Sequence, residues 1–501
     1  MKRKVCGLMF VLVLVALCFA EAQDILNTQS PLPVNWTLNT IWTGSQTLRQ
    51  IDVGNHLKGI SDDTFRLFTV QSAAPQMVLL FTDVSTALPM QWRCDTIESS
   101  IAGYLGAGIG DVNRDGDNDL VYIRFATPYY LFCRYWENIS STWAIETITA
   151  TSASSWAMDV GDADNNGFTD DIIYSTGVTT SSRLYRAYWT GSVWQNSLIW
   201  SGDGRTIQGI VIGNFDTSNG DSNEIAVATA GSTTDGGRVV RIKWNGNLWD
   251  TLTIWKAPDN ASFTNVAIGN FDSTNMGNEI AVANGLGPGS MARGAVIEVY
   301  GSGTTWSQRP IFTPTVSNNA WGIAIGDVIT TNPLDEVVFA NSTNAPYEVR
   351  AIYGAGTNWS NELIFNIGGA TYGIVISDVN RHRTLNQEIA IAGNRIVYEA
   401  EEQPSGGITV SDLNSFIKSQ MVIIPNPTKN ILLVRYNGLL ANPTQITLYN
   451  TAGRLVRSYT LNGFGQNRSY KIDISSIPSG VYLIRLESGE INATKVIVIN
   501  K

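Results

Sequence analysis

The stretch that decides the fold is residues 321–365, which reads WGIAIGD (321–327), EVVFA (336–340), EVRAIYG (348–354) and WSNELIF (359–365) between polar loops. Each apolar piece is short. Its hydrophobic residues alternate or run unbroken between turn residues, which favours β-strands over helices. The four pieces make an antiparallel meander, and the meander recurs along the chain.

Two markers count the copies. Trp followed five residues later by an aliphatic residue occurs at Trp36, Trp92, Trp143, Trp194, Trp249, Trp306 and Trp359, at intervals of roughly 50 to 57 residues. A Gly-Asp type turn after an apolar run occurs at Asp111, Asp162, Asn214, Asn270, Asp327 and Asp378, with a degraded version near Asp52. A meander repeating at this period is the signature of propeller blades, and seven markers predict seven blades. The last turn is followed by EIAIAG and RIVYEAE but by no Trp strand. Residues 36–42 are therefore expected to supply the outermost strand of the blade formed by residues 370–400, hiding strand edges that otherwise invite aggregation. The expected class is all-β: a seven-bladed propeller closed by the N-terminal strand, followed by a small sandwich.

The ends of the chain have other roles. Lys2, Arg3 and Lys4, an apolar run from Val5 to Phe19, and Ala20-Glu21-Ala22 read as a secretory signal over residues 1–22. Export would leave Cys94 and Cys133 as the remaining thiols, capable of at most one bridge. The formal charge of −10 disfavours nucleic acid and anionic membranes, and no transmembrane segment is expected in the mature chain. Residues 23–400 are read as the propeller, 401–420 as a linker with a short helical turn at DLNSFIK, and 421–501 as a separate sandwich.

The loops after the first strand of each repeat carry the clearest chemistry. Asp111, Asn113, Asp115 and Asp119 place oxygen groups at positions one, three, five and nine around Gly116, with Asp117 at position seven. Asp162, Asp164, Asn166 and Asp170 repeat the arrangement around Gly167, with Phe168 at position seven and Asp171 as an alternative last ligand. A short loop wraps a hard cation such as Ca²⁺ in this way; the bland alternative is a polar turn without metal. The loops at Asn214, Asn270, Asp327 and Asp378 keep only part of the set.

IGDVNRDGDNDLVYI and VGDADNNGFTDDIIY resemble the FG-GAP and VCBS repeats of integrin α-subunit propellers and many secreted bacterial proteins, over roughly residues 36–400. The resemblance implies one blade per repeat and calcium in the acidic loop. It names no ligand, because the fold hosts lectins, adhesion modules, lyases and scaffolds.

Six residues before the turn residues lie Leu105, Trp156, Gln208, Thr264, Trp321 and Tyr372, expected to ring the mouth of a central channel on the face opposite the acidic loops. Trp156, Trp321, Tyr372 and Gln208 are the candidates for gripping a glycan or a surface protein; the competing reading is a structural collar. The recurrent outer Trp residues read as blade packing. No catalytic set is legible: His56 and His382 are the two histidines, each in a loop, and there is neither a phosphate loop nor a nucleophile elbow. A polysaccharide lyase assembled from distant blades, or a structural part of a surface assembly, are the alternatives to a binding module.

Residues 421–501 resemble the C-terminal sorting domain of the type IX secretion system, through Pro425-Asn426-Pro427, the turn from Asn450 to Gly453, Ser479-Gly480-Val481-Tyr482, and the strand through Lys495 to a terminal lysine. The resemblance implies the type IX machinery as partner and a secreted or cell-surface location. A sugar-binding sandwich is the alternative for this unit.

Overall fold

The structure, a computed structural model, describes most of residues 35–403 and 421–500; residues 1–34, 404–420 and parts of the loops, including 59–63, 85–90, 154–156, 286–292 and 380–386, lie outside the described residues. The signal segment, the helical turn of the linker, Trp156 and His382 fall outside them.

Among the described residues five four-stranded antiparallel sheets follow one another in the propeller. They run from Tyr104–Gly110 to Thr142–Thr151, Met158–Gly161 to Trp194–Trp200, Ile207–Gly213 to Trp249–Lys256, Phe263–Gly269 to Thr305–Phe312, and Ala320–Gly326 to Asn358–Asn366, with strands paired in sequence order. A sheet of six strands holds two more blades, because one continuous strand, Asn35–Gly54, serves both. Its residues 48–54 pair with Arg66–Gln71 and open blade one. Its residues 35–43 pair antiparallel with residues 396–403, as in Leu38 with Ala400 and Asn39 with Glu399, and complete blade seven. The first strand thus latches onto the last sheet. Pairing runs through Gln403, so residues 401–403, read as linker, belong to this closure.

Packing confirms a ring. Among the described residues seven apolar clusters each combine side chains of two successive blades, including Leu48, Phe81, Ala390 and Val397 where blade seven meets blade one. The alternating pattern puts Val, Ile and Leu on both faces of every middle strand, and radial stacking buries both faces at once. Each outer Trp covers the interface with the preceding blade: Trp36 packs against the cluster of blades six and seven, and its Nε1 donates to Glu362 Oε1 at 2.8 Å. Near the axis there is no room for side chains everywhere. A Cβ on Gly373 would lie 2.8 Å from the Arg49 carbonyl of blade one, so glycine there lets the two ends of the ring meet.

The C-terminal unit is a sandwich by itself. One sheet contains Met421–Ile424, Ile431–Tyr436 and Ser469–Asp473; the other contains Leu455–Leu461, Thr444–Asn450, Gly480–Ser488 and Ile491–Ile499 in that spatial order. Leu432, Ile446, Ile484 and Ile497 lie at its fully buried centre. Cys94, exposed, and Cys133, buried, are free thiols, so no bridge joins blades one and two.

Trp36→Ala removes the indole from the closing interface together with its bond to Glu362. Urea unfolding should show a loss of about 2–3 kcal/mol relative to the parent; an unchanged midpoint would mean that this strand contributes nothing to closure.

Candidate functional site

The innermost strands surround a central cavity of about 310 Å³. In every blade a small residue pairs with the first residue of the second strand: Gly54, Gly110, Gly161, Gly213, Gly269, Gly326 and Ser377. Five residues before it stand Arg49, Leu105, Trp156, Gln208, Thr264, Trp321 and Tyr372. All except Trp156, which lies outside the described residues, line the cavity. Arg49 was missed in the sequence because the first turn was read near Asp52. The pairing of Gly54 with Arg66 places it at Asn55 instead.

The members differ in what they can do. Leu105 and Thr264 are buried, and the Thr264 hydroxyl donates to the Ala283 carbonyl at 3.1 Å and to that of Ala320, so both serve packing. Trp321 and Tyr372 meet edge to face, with centroids 6.0 Å apart. The Arg49 guanidinium lies 4.3 Å from the Tyr372 ring centre while its Nε donates to Ser72 Oγ at 3.2 Å. Gln208 Oε1 is buried with no hydrogen-bond partner among the described residues. Farther along the channel are Asp52 and Asp159. Burial pushes Asp52 up to about 6, and burial, with Asp52 as a nearby charge, pushes Asp159 up to about 7. Each carboxylate accepts backbone N–H groups of its own strand and of the next blade: Val53 and Ile109 for Asp52, Val160 and Ile212 for Asp159.

At the other end of the channel the two acidic loops fold alike. Asp111 accepts from the amides of Asp115 and Gly116, and Asp162 from those of Asn166 and Gly167. The fourth and sixth positions adopt positive φ in both: Arg114 and Asn165 at 60°, Gly116 at 97° and Gly167 at 90°. Position six therefore suits glycine. Asp115 Oδ1 caps the Asp117 amide, and Asn166 Oδ1 caps the Phe168 amide. The ninth position differs between them. Asp119 opens the second strand of its blade, whereas in the next blade Asp171 does so, opposite Gly161. Asp171, not Asp170, is thus the counterpart of Asp119; Asp170 is turned to Arg114 of the preceding loop, which donates to its Oδ2 at 2.8 Å.

An acidic residue opens the second strand in six blades, blade one having Arg66 there instead. Asp119, Asp171, Glu224, Glu279, Glu336 and Glu388 are all buried, and their carboxylates accept amides at the start of the preceding loop, as Glu336 Oε2 does from Val328 and Ile329. The residue before it clasps the neighbouring blade: Asn118 donates to the Asn55 carbonyl, Asn223 to that of Asp162, Asn278 to that of Asn214, and Gln387 accepts from the Asp327 amide. An amide or acid followed by an acid before the apolar run in six of the seven repeats was the sequence signal for this belt.

What neutralises the loop carboxylates varies. In blades three and four an arginine on the third strand reaches in, Arg186 to Asp164 and Asp171, and Arg241 to Asp216 at 2.5 Å. In blade five Arg309, from the fourth strand, pairs with Asp272 and Glu298. Burial raises Asp216, but Ser218, the Gly303 amide and Arg241 more than offset it and hold it below the usual carboxylate range. In blade two the residue at the register of Arg186 is Cys133. Burial first, then the charges of Asp115 and Asp111, push Asp119 up to about 9. Oxygens of Asp162, Asp164 and Asp171 do converge within 4.8 Å, but Arg186 already sits on two of the three.

Comparison with known proteins places the C-terminal unit. Residues 422–500 match the family described as Secretion system C-terminal sorting domain. No curated protein matches the chain. Among the described residues no helix is long and apolar enough to cross a membrane. The chain therefore ends in a type IX secretion C-terminal sorting domain, and the protein is secreted or attached to the cell surface.

Proposed function

We propose that the propeller is a binding module, exported by the type IX machinery, that grips a glycan or a surface protein at the ring end of its channel. The observation that carries this reading is the company of Trp321, Tyr372, Arg49 and Gln208 around one cavity, whose aromatic faces and polar groups are the usual elements of a small-ligand site. The enzyme reading has one observation in its favour, the shared Asp52 and Asp159 carboxylates with raised proton affinity in a cleft. Both hold strand amides together, a structural duty that accounts for them without chemistry.

Calcium is proposed for the loop of blade two, in keeping with the FG-GAP and VCBS likeness of the repeats. Asp111, Asn113, Asp115 and Asp119 would hold it, with Asp117 beside them. The ion would supply the positive charge that arginine supplies in blades three to five. The donor set suits a hard cation, which would offset the burial of Asp119 and its repulsion by Asp115 and Asp111. The loop of blade three fits less well because Arg186 competes for Asp164 and Asp171.

Melting with added calcium and with chelator checks this: calcium should raise the midpoint, Asp119→Asn should abolish the rise, and Asp171→Asn should leave most of it. No shift in the parent would contradict the assignment. The metal-free protein should also respond to pH. Asp119 (about 9), Glu279 (about 8) and Asp171 (about 7), each raised chiefly by burial, bind protons more tightly folded than unfolded. Their stabilisation is fullest near the unfolded carboxylate range, about pH 4, and drains as pH rises toward 9. Urea unfolding in chelator should therefore weaken between pH 5 and 9, and calcium should flatten the slope.

A glycan array tests the ligand reading. Binding by the parent should be lost or cut about tenfold in Trp321→Ala; undiminished binding would move the site elsewhere.

A further inference from the structure

The reading that the channel binds a glycan can be taken one step further. We propose that the ligand is a carboxylated sugar, a uronic acid at the end of a glycan, with its carboxylate on Arg49, its hydroxyls toward Gln208, Asp52 and Asp159, and its ring face on Trp321.

Arg49 is the first ground. Its Nε is used by Ser72, its plane by Tyr372, and its terminal nitrogens have no hydrogen bond or ion pair among the described residues. Elsewhere in the propeller Arg114, Arg134, Arg186, Arg205, Arg238, Arg241, Arg309 and Arg350 each hold a carboxylate. A guanidinium held by an aromatic ring and left without an anion, in a chain of net charge −10, is a preformed fork for a carboxylate.

The second ground is the match of the remaining groups to hydroxyls. Gln208 Oε1 is buried without a donor, a state that a ligand hydroxyl would relieve. Asp52 stands three residues beyond Arg49 on the same strand, roughly 10 Å farther along. Both channel aspartates keep lone pairs beyond the amides they accept. Acidic groups there would repel a carboxylate, which orients an anionic sugar with its charge at Arg49 and its hydroxyls inward. One face of Tyr372 is covered by Arg49, leaving Trp321 as the platform for sugar C–H groups. A cavity of about 310 Å³ lies at the lower bound for ligand sites, so it admits one ring at a chain end and not the middle of a polymer.

Calorimetric titration of the whole exported chain with D-galacturonate and D-glucuronate beside D-galactose and D-glucose tests the proposal. The uronates should bind about tenfold more tightly than their neutral parents. Arg49→Met should abolish that preference and Arg49→Lys should keep part of it, with melting curves establishing that each variant folds. Equal affinity for acid and neutral sugars, both lost in Trp321→Ala, would overturn the uronate assignment while leaving the glycan reading intact. A preference that survives in folded Arg49→Met would also overturn it. Binding of none of the four sugars would overturn the uronate assignment, and a silent glycan array alongside would remove the glycan reading as well.

Discussion

Every blade depends on a pairing that sequence neighbours cannot make: the strand at residues 35–43 must find residues 396–403, some 360 positions away. Until it does, blade seven lacks its outer strand, and the apolar sides of blades one and seven face water. The cluster of Leu48, Phe81, Ala390 and Val397 exists because the ends meet. The same continuous strand then turns inward as the first strand of blade one and carries Arg49, Gln50 and Asp52 into the channel. Closure of the ring and assembly of the cavity are one event.

A second constraint works at the loop end. Burying six carboxylates at the start of six second strands is costly unless each is satisfied, and each accepts amides of its own loop. The side chain just before it reaches the previous blade, so the belt ties loop to loop around the propeller. The positive charge that completes the local balance comes from arginine in blades three to five. In blade two Cys133 stands where the arginine would, and it is this loop for which calcium is proposed.

Much of this was legible. The recurrence of Trp and of Gly-Asp turns gave blade number, strand order and the closing strand, because alternation and turn chemistry are local properties that a propeller uses without distortion. The sorting domain was legible in its short motifs. Three features were not. Arg49 was hidden because the first repeat has Asn55 where the others keep a clearer turn, and only strand register reveals its place. The spacing offers Asp170 as the last loop ligand with Asp171 as the alternative, and only strand register shows that the extra residue in that loop gives Asp171 the place of Asp119. The arginine substitutes were invisible because only the register of the third strand against the second brings Arg186 and Arg241 to the acids they meet. Each miss is a matter of register or of through-space charge, which spacing alone does not encode.

Hydrogen exchange read by mass spectrometry tests closure most directly. If the N-terminal strand completes the ring, the amides of residues 36–43 and 396–403 exchange together, as slowly as the middle strands of the propeller. Exchange of residues 36–43 at the rate of a free tail, with 396–403 exposed along the same edge, would contradict the closed ring and the cavity built on it.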